Sequence, residues 1–145
     1  MTLEWNYNTH CVDVSMPGYV AKALHNIHHT TPSKPQHSPF KCVRPNYGSK
    51  VQYAPEPDNS PFLSASGNNH VQQIVVIFFY YRRAIDNSVI PAFISLSTSQ
   101  SKPTSYTNQD ITQFLDYVAT YTTTIIRYYR SGMILYVHSD VPFLC

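Results

Sequence analysis

Apolar and polar residues alternate at the start of the chain, with Leu3, Trp5 and Tyr7 set against Thr2, Glu4 and Asn6, the two-residue period of a half-buried strand. Cys11 to Ser15 alternates in the same way, and Asn8, Thr9 and His10 between the two runs supply a turn, so a hairpin is predicted. The period then lengthens. Ser15 is positioned to cap a helix entered through Met16-Pro17, proline being tolerated in a first turn whose N–H has no intrahelical partner. Tyr19, Val20, Ala23, Leu24 and Ile27 form its apolar face, and it is expected to stop near His29. From Thr30 to Asn69 no period survives and most of the prolines gather. This stretch is expected to be an extended loop held by its neighbours, or a linker.

Val71 to Asp86, VQQIVVIFFYYRRAID, is the longest apolar run and the segment best able to anchor a core. As a helix it places Ile74, Ile77, Phe78, Tyr81 and Ile85 on one face, widened by Val75 and Phe79, with Asn68 or Asn69 as the cap. A strand over Ile74 to Tyr81 competes on β-propensity, but the length of the run and its Gln and Arg flanks favour the helix. Asp86-Asn87-Ser88 breaks it and caps a second helix through Val89, Ile90, Phe93, Ile94 and Leu96, with Pro91 in the first turn. A third helix, starting at Asn108 or Asp110, carries Ile111, Phe114, Leu115, Val118 and Tyr121. Ile125 to Tyr129 and Met133 to Ser139 flank Arg130-Ser131-Gly132 and read as a second hairpin. The expected fold is α+β: an N-terminal β-hairpin and helix (1–29), a long Pro-rich loop (30–69), a helical region (70–123) and a C-terminal β-hairpin (124–145).

Composition narrows the function classes. Charged residues make up 12% of the 145, while Tyr reaches 12 and Pro 11. A formal net charge of +2 is too mild to announce a nucleic-acid binder by electrostatics alone. Cys11, Cys42 and Cys145 are odd in number and form no CxxC pair, so neither a disulfide framework nor a thiolate zinc site is expected, and a reducing, intracellular compartment (cytoplasm or nucleus) fits. Met1 to Asn6 has no basic segment followed by an apolar one, and Ile74 to Tyr81 is far shorter than the ~20 residues that cross a bilayer, so no signal peptide and no membrane partner are expected.

Two clusters carry candidate chemistry. His25, His28 and His29 stand at i, i+3 and i+4, a spacing that puts two imidazoles on one helix face, and His37 and Cys42 follow; a polar helix end is the simpler reading. Arg82, Arg83, Arg127 and Arg130 are interleaved with Tyr80, Tyr81, Tyr128 and Tyr129, a mixture able to contact phosphates and stack on bases, although the same tyrosines suit a core edge with wet hydroxyls.

The order of these pieces resembles a family, the end of reverse transcriptase running into ribonuclease H in copia-type LTR retrotransposon polyproteins. TLEWNYNTHCVDVSMPGYVAKAL is similar to the family's strand and Ser-Met-Pro-Gly-Tyr helix entry after the polymerase palm. VQQIVVIFFYYRRAIDNSVIPAFISLS is similar to its connecting region, and MILYVHSDVPFLC resembles the first ribonuclease H strand. That likeness implies a role for Asp140 as the first nuclease carboxylate. The polymerase Tyr-x-Asp-Asp pair is absent, and Val141-Pro142 replaces the small residue after the nuclease acid. Ribonuclease H chemistry needs several carboxylates around two divalent ions. Asp86, Asp110 and Asp116 read instead as a cap, a helix start and an exposed helix face.

The resemblance therefore implies a truncated, non-catalytic copy in which Asp140 is vestigial. No cofactor is expected, magnesium belonging only to an intact ancestral enzyme, and any nucleic-acid partner would be an RNA–DNA hybrid held weakly. The alternative is a small protein-interaction or homo-oligomerisation module built on the apolar helix of 71–86.

Overall fold

The computed structural model describes residues 1–41 and 58–132. The expected α+β class holds. Strands β1 (Thr2–Asn6), β2 (Cys11–Ser15) and β3 (Ile125–Tyr129) form one antiparallel sheet in the order β1-β2-β3. Between β2 and β3 the chain forms helices α1 (Tyr19–Asn26), α2 (Ala65–Ala84), α3 (Ile90–Ser99) and α4 (Ser105–Thr120), with a 3₁₀ turn at Asn87–Val89 before α3.

The first hairpin forms as its alternation predicts. The Asn6 side-chain oxygen accepts from the N–H groups of Asn8 (3.1 Å) and Thr9 (3.0 Å), and His10 takes a positive φ of 50° to bring the chain back. Ile125 to Tyr129 is a strand as expected, and its partner is β2, far back in the sequence: Cys11 faces Tyr129 and Ser15 faces Ile125. The second arm of the predicted closing hairpin, Met133 to Ser139, lies outside the described residues.

The helix starts differ from their sequence expectation, each for a local reason. Ser15 does not cap α1, because it is the last residue of β2, paired with Thr2 and Ile125. The chain turns from strand to helix at Gly18, whose φ of 74° is cheap only for glycine, and α1 begins at Tyr19. The helix ends at Asn26, with His28 in the left-handed region at φ 56°. On α2 the cap is Ser64, not Asn68 or Asn69: its hydroxyl accepts from the Gly67 N–H at 3.3 Å, and the helix takes in five residues, Ala65 to Asn69, assigned from sequence to the loop. Gly67 sits so close to Leu63 that a Cβ there would fall 2.9 Å from the leucine Cβ. Asp86 caps the 3₁₀ turn as expected, accepting from Ser88 N–H at 3.1 Å, and Pro91 occupies the first turn of α3. Helix α4 starts before Asn108, capped by Thr104 in a reciprocal box with Thr107.

The apolar run of α2 is the centre of the core. Val71, Ile74, Val75, Phe78, Tyr81 and the following Ile85 are buried, packed with Val20, Ala23 and Leu24 of α1, Ala92, Phe93 and Leu96 of α3, and Ile111, Phe114, Leu115 and Val118 of α4. Phe78 meets Phe114 edge to face, with centroids 5.3 Å apart, and Tyr19 stacks on Tyr81 at 5.6 Å while its hydroxyl donates to the Ile77 carbonyl at 2.6 Å. Phe79, expected to widen the buried stripe, is exposed, and Ile77 is only partly covered. The sheet joins this core through Val14, with Val12 at its margin. Parts of the Pro-rich stretch are held by α4 and its cap: Gln36 N–H donates to the Thr120 hydroxyl at 3.0 Å, Gln113 donates to the Ser38 carbonyl at 3.2 Å, and Leu63 N–H donates to the Pro103 carbonyl at 2.9 Å.

Candidate nucleic-acid interface

In a sheet, residues directly opposite one another share a face. The register sets Trp5 against Val12 and Val12 against Tyr128, and sets Leu3 against Val14 and Val14 against Ile126. Val14 is in the core, so this apolar face is the one the helices cover. Coverage runs out one row further along: Val12 is half-buried, while Trp5 is 63% exposed and Tyr128 58% exposed. At that end of the sheet a groove of about 290 Å³ is lined by Trp5, Tyr7, Val12, Tyr128, Tyr129 and Arg130, with His10 beside them. Four aromatic rings and a guanidinium thus converge where the sheet overhangs the helices.

The opposite face carries a charged row at its centre. Glu4, Asp13 and Arg127 form one row across the three strands, and the Arg127 guanidinium grips Asp13 through two bonds of 2.7 Å. Arg127 holds the Asp13 carboxyl below the usual aspartate range, and Asp13 in turn raises the guanidinium above its own. This bidentate grip answers the repulsion of Glu4 and Asp13 paired side by side.

The four arginines singled out from sequence therefore meet different fates. Arg130 lines the aromatic groove, its N–H donating to the His10 carbonyl at 2.9 Å. Arg127 is on the same strand but is paired with Asp13. Arg82 lies flat between two rings, its guanidinium carbon 4.8 Å from the Phe79 centroid and 4.3 Å from that of Phe93, with its Nε buried and lacking a hydrogen-bond partner among the described residues. It is a packing residue of the α2–α3 contact. Arg83 is exposed at the end of α2, where a cation suits the helix terminus. Tyr81 is in the core, so of the interleaved tyrosines only Tyr128 and Tyr129 join the groove.

Trp5, Tyr7 and His10 escaped the sequence reading as site residues. Their signal was present in the alternation of Leu3, Trp5 and Tyr7, but only the pairing of β1 with β2 and of β2 with β3 puts that stripe on the same face as Tyr128, across Val12. The histidine cluster is dispersed. Because α1 ends at Asn26, His25, His28 and His29 do not share a continuous helix face, and His29 Nε2 instead lies 2.9 Å from Asp116 on α4. His37 pairs with the Tyr121 hydroxyl at 2.7 Å. Among the described residues no group of three or more His, Cys, Asp or Glu gathers as a metal site. Cys42 and Asp140 lie outside the described residues.

The carboxylates weighed as nuclease acids are engaged locally. Asp86 is buried as a cap and also accepts from Thr124 at 3.2 Å. Asp110 does not start α4 but lies in its second turn, 3.7 Å from Lys41, with burial pushing its carboxyl up. Asp116 holds His29 and is not simply a solvated face. No helix among the described residues is long and apolar enough to cross a membrane. Comparison of the chain with family models, curated proteins and solved structures finds no match to any of them.

Proposed function

We propose that this chain is a non-catalytic module that contacts nucleic acid weakly through the aromatic end of its sheet. The observation that carries the reading is the row Trp5–Val12–Tyr128, exposed at its two ends and continued by Tyr7, Tyr129 and Arg130 around one groove. Aromatic faces on a sheet stack with bases of any sequence, and an adjacent guanidinium supplies a phosphate contact. With a net charge of only +2, stacking has to supply most of the affinity. The resemblance to the reverse transcriptase and ribonuclease H junction of copia-type retrotransposons agrees in ligand class and implies an RNA–DNA hybrid. Stacking favours unpaired bases, so a hybrid with a single-stranded overhang is the form that engages both features.

Trp5 is the sole tryptophan, so its emission reports the site directly. Titration with oligothymidylate and with an overhanging RNA–DNA hybrid should quench it with a dissociation constant on the order of 10–100 μM at low salt. Tyr128→Ala should weaken binding about tenfold, a loss in the range of one stacked base. Emission and mobility both unchanged at about 100 μM oligonucleotide would remove the proposal. A hybrid incubated with magnesium or manganese should remain intact; robust cleavage that Asp140→Asn abolishes would show an active nuclease instead.

A second reading, self-association through α2, rests on what that helix leaves outside. Its principal stripe is internal, but Val76, Phe79 and Tyr80 remain exposed on the far side. Val76→Lys should abolish any oligomer built on this face, as measured by light scattering.

A further inference from the structure

Among the described residues no strand pairs with the outer edge of β1, and the polarity of that edge can be derived. His10 and Arg130 continue the register of β2 and β3, and the Arg130 N–H donates to the His10 carbonyl, so that pair is a hydrogen-bonded one. Antiparallel pairs alternate. Val12 and Val14 therefore bond towards β3, and Cys11, Asp13 and Ser15 bond towards β1, to Asn6, Glu4 and Thr2. The main-chain groups of Leu3 and Trp5 then point away from β2, into the open edge. Natural edge strands are guarded by proline, lysine or a bulge. The sequence of β1, TLEWN, has no proline and no lysine, and its register against β2 runs unbroken from Thr2 to Asn6.

We propose that a second copy of this chain pairs with that edge, β1 against β1 in antiparallel sense about a two-fold axis, joining two three-stranded sheets into one of six strands. The register follows from charge and polarity. Pairings that set Leu3 or Trp5 opposite Glu4 are excluded because the outward groups of one strand would meet inward groups of the other. Centring the axis on Glu4 places two like carboxylates side by side. Centring it on Leu3 sets Trp5 against Met1, ahead of the strand, whereas centring it on Trp5 sets tryptophan against tryptophan and Glu4 against Asn6, an acceptor facing an amide, with Leu3 opposite Tyr7 where the chain enters its turn. The row Tyr128–Val12–Trp5 then continues into its symmetry copy, a strip of six positions about 24 Å long at the usual strand spacing. This inference stands on the edge geometry and is independent of the nucleic-acid reading.

A five-residue edge buries far less than a standard interface, so a dimer dissociating on the order of 10 μM is expected. Sedimentation equilibrium of the whole chain in reducing buffer, from about 1 to about 100 μM, should show a monomer–dimer equilibrium, with Trp5 emission moving to the blue as dimer accumulates. Amide exchange gives a finer signature. The Leu3 and Trp5 amides should gain protection with concentration, while those of Glu4 and Asn6, already bonded to β2, should not. Leu3→Lys should weaken association at least tenfold and Val76→Lys leave it unchanged. A monomer throughout the range, or concentration-dependent protection absent from Leu3 and Trp5, overturns the proposal. An oligomer lost in Val76→Lys and kept in Leu3→Lys overturns it as well, placing self-association on α2.

Discussion

The Thr104 hydroxyl donates to the Asp58 carboxylate and accepts from the Thr107 N–H at 3.3 Å, while the Thr107 hydroxyl accepts from Thr104 N–H at 3.2 Å. One buried side chain therefore satisfies the start of α4 and fastens residues 58–64 to it. Thr104→Ala should lower stability by about 1–2 kcal/mol, with Thr104→Ser restoring most of it, as read from urea denaturation midpoints. A capping box is legible when glutamate or glutamine stands at its third helical position. Threonine fills that role here, so Asn108 and Asp110 looked the stronger starts, whereas Asp86 before Asn87-Ser88 was plain. Gly18 was similarly hidden behind Ser15 and Pro17. Nothing local says that Ser15 is already committed to a strand on both sides.

Helix α2 shows what periodicity can and cannot assign. Its inner stripe of Ile74, Phe78, Tyr81 and Ile85 was legible because burial on one side of a helix imposes its period on the sequence. Phe78→Ala removes the ring that meets both Phe114 and Tyr81, and should cost about 3–5 kcal/mol. Val76, 72% exposed, is the control: Val76→Lys should change stability by less than about 0.5 kcal/mol in the same denaturation experiment. Phe79 misled the apolar count. Its ring is partly covered by the Arg82 guanidinium, which packs between Phe79 and Phe93, so a residue read as a phosphate contact serves the outer edge of the core. The polar first turns of α2, with glycine and two asparagines, have poor intrinsic propensity. They are helical because Ser64 caps them and Val71 behind them is buried.

The chain closes on itself through contacts between distant segments, and two of these hold a carboxyl below its ordinary range. Asp13 is held below the ordinary aspartate range by Arg127 across β2 and β3. Asp58 is held below it by Ser60 and by Thr104. A carboxyl with a depressed folded value contributes stability that is present above its unfolded value and is lost as pH falls through the folded one. Stability should therefore decline below about pH 4, and both Asp13→Asn and Asp58→Asn should flatten that decline in denaturation midpoints measured against pH. Asp110, pushed up by burial, acts in the opposite sense, its contribution being present at low pH and lost as pH rises, so it partly offsets them.

Sequence alone determined the α+β class, the existence of seven of the regular elements, the inward stripe of α2 and the strand character of Thr2–Asn6, Cys11–Ser15 and Ile125–Tyr129, because each leaves a period within a few neighbouring residues. Tertiary structure decided which strand β3 joins, which arginine lines a groove, and that Trp5 and Tyr128 share one face on either side of Val12. An alternating strand advertises a buried face but not a partner, since main-chain hydrogen bonding is the same for every sequence and pairing is settled by how the helices between the strands fill the core.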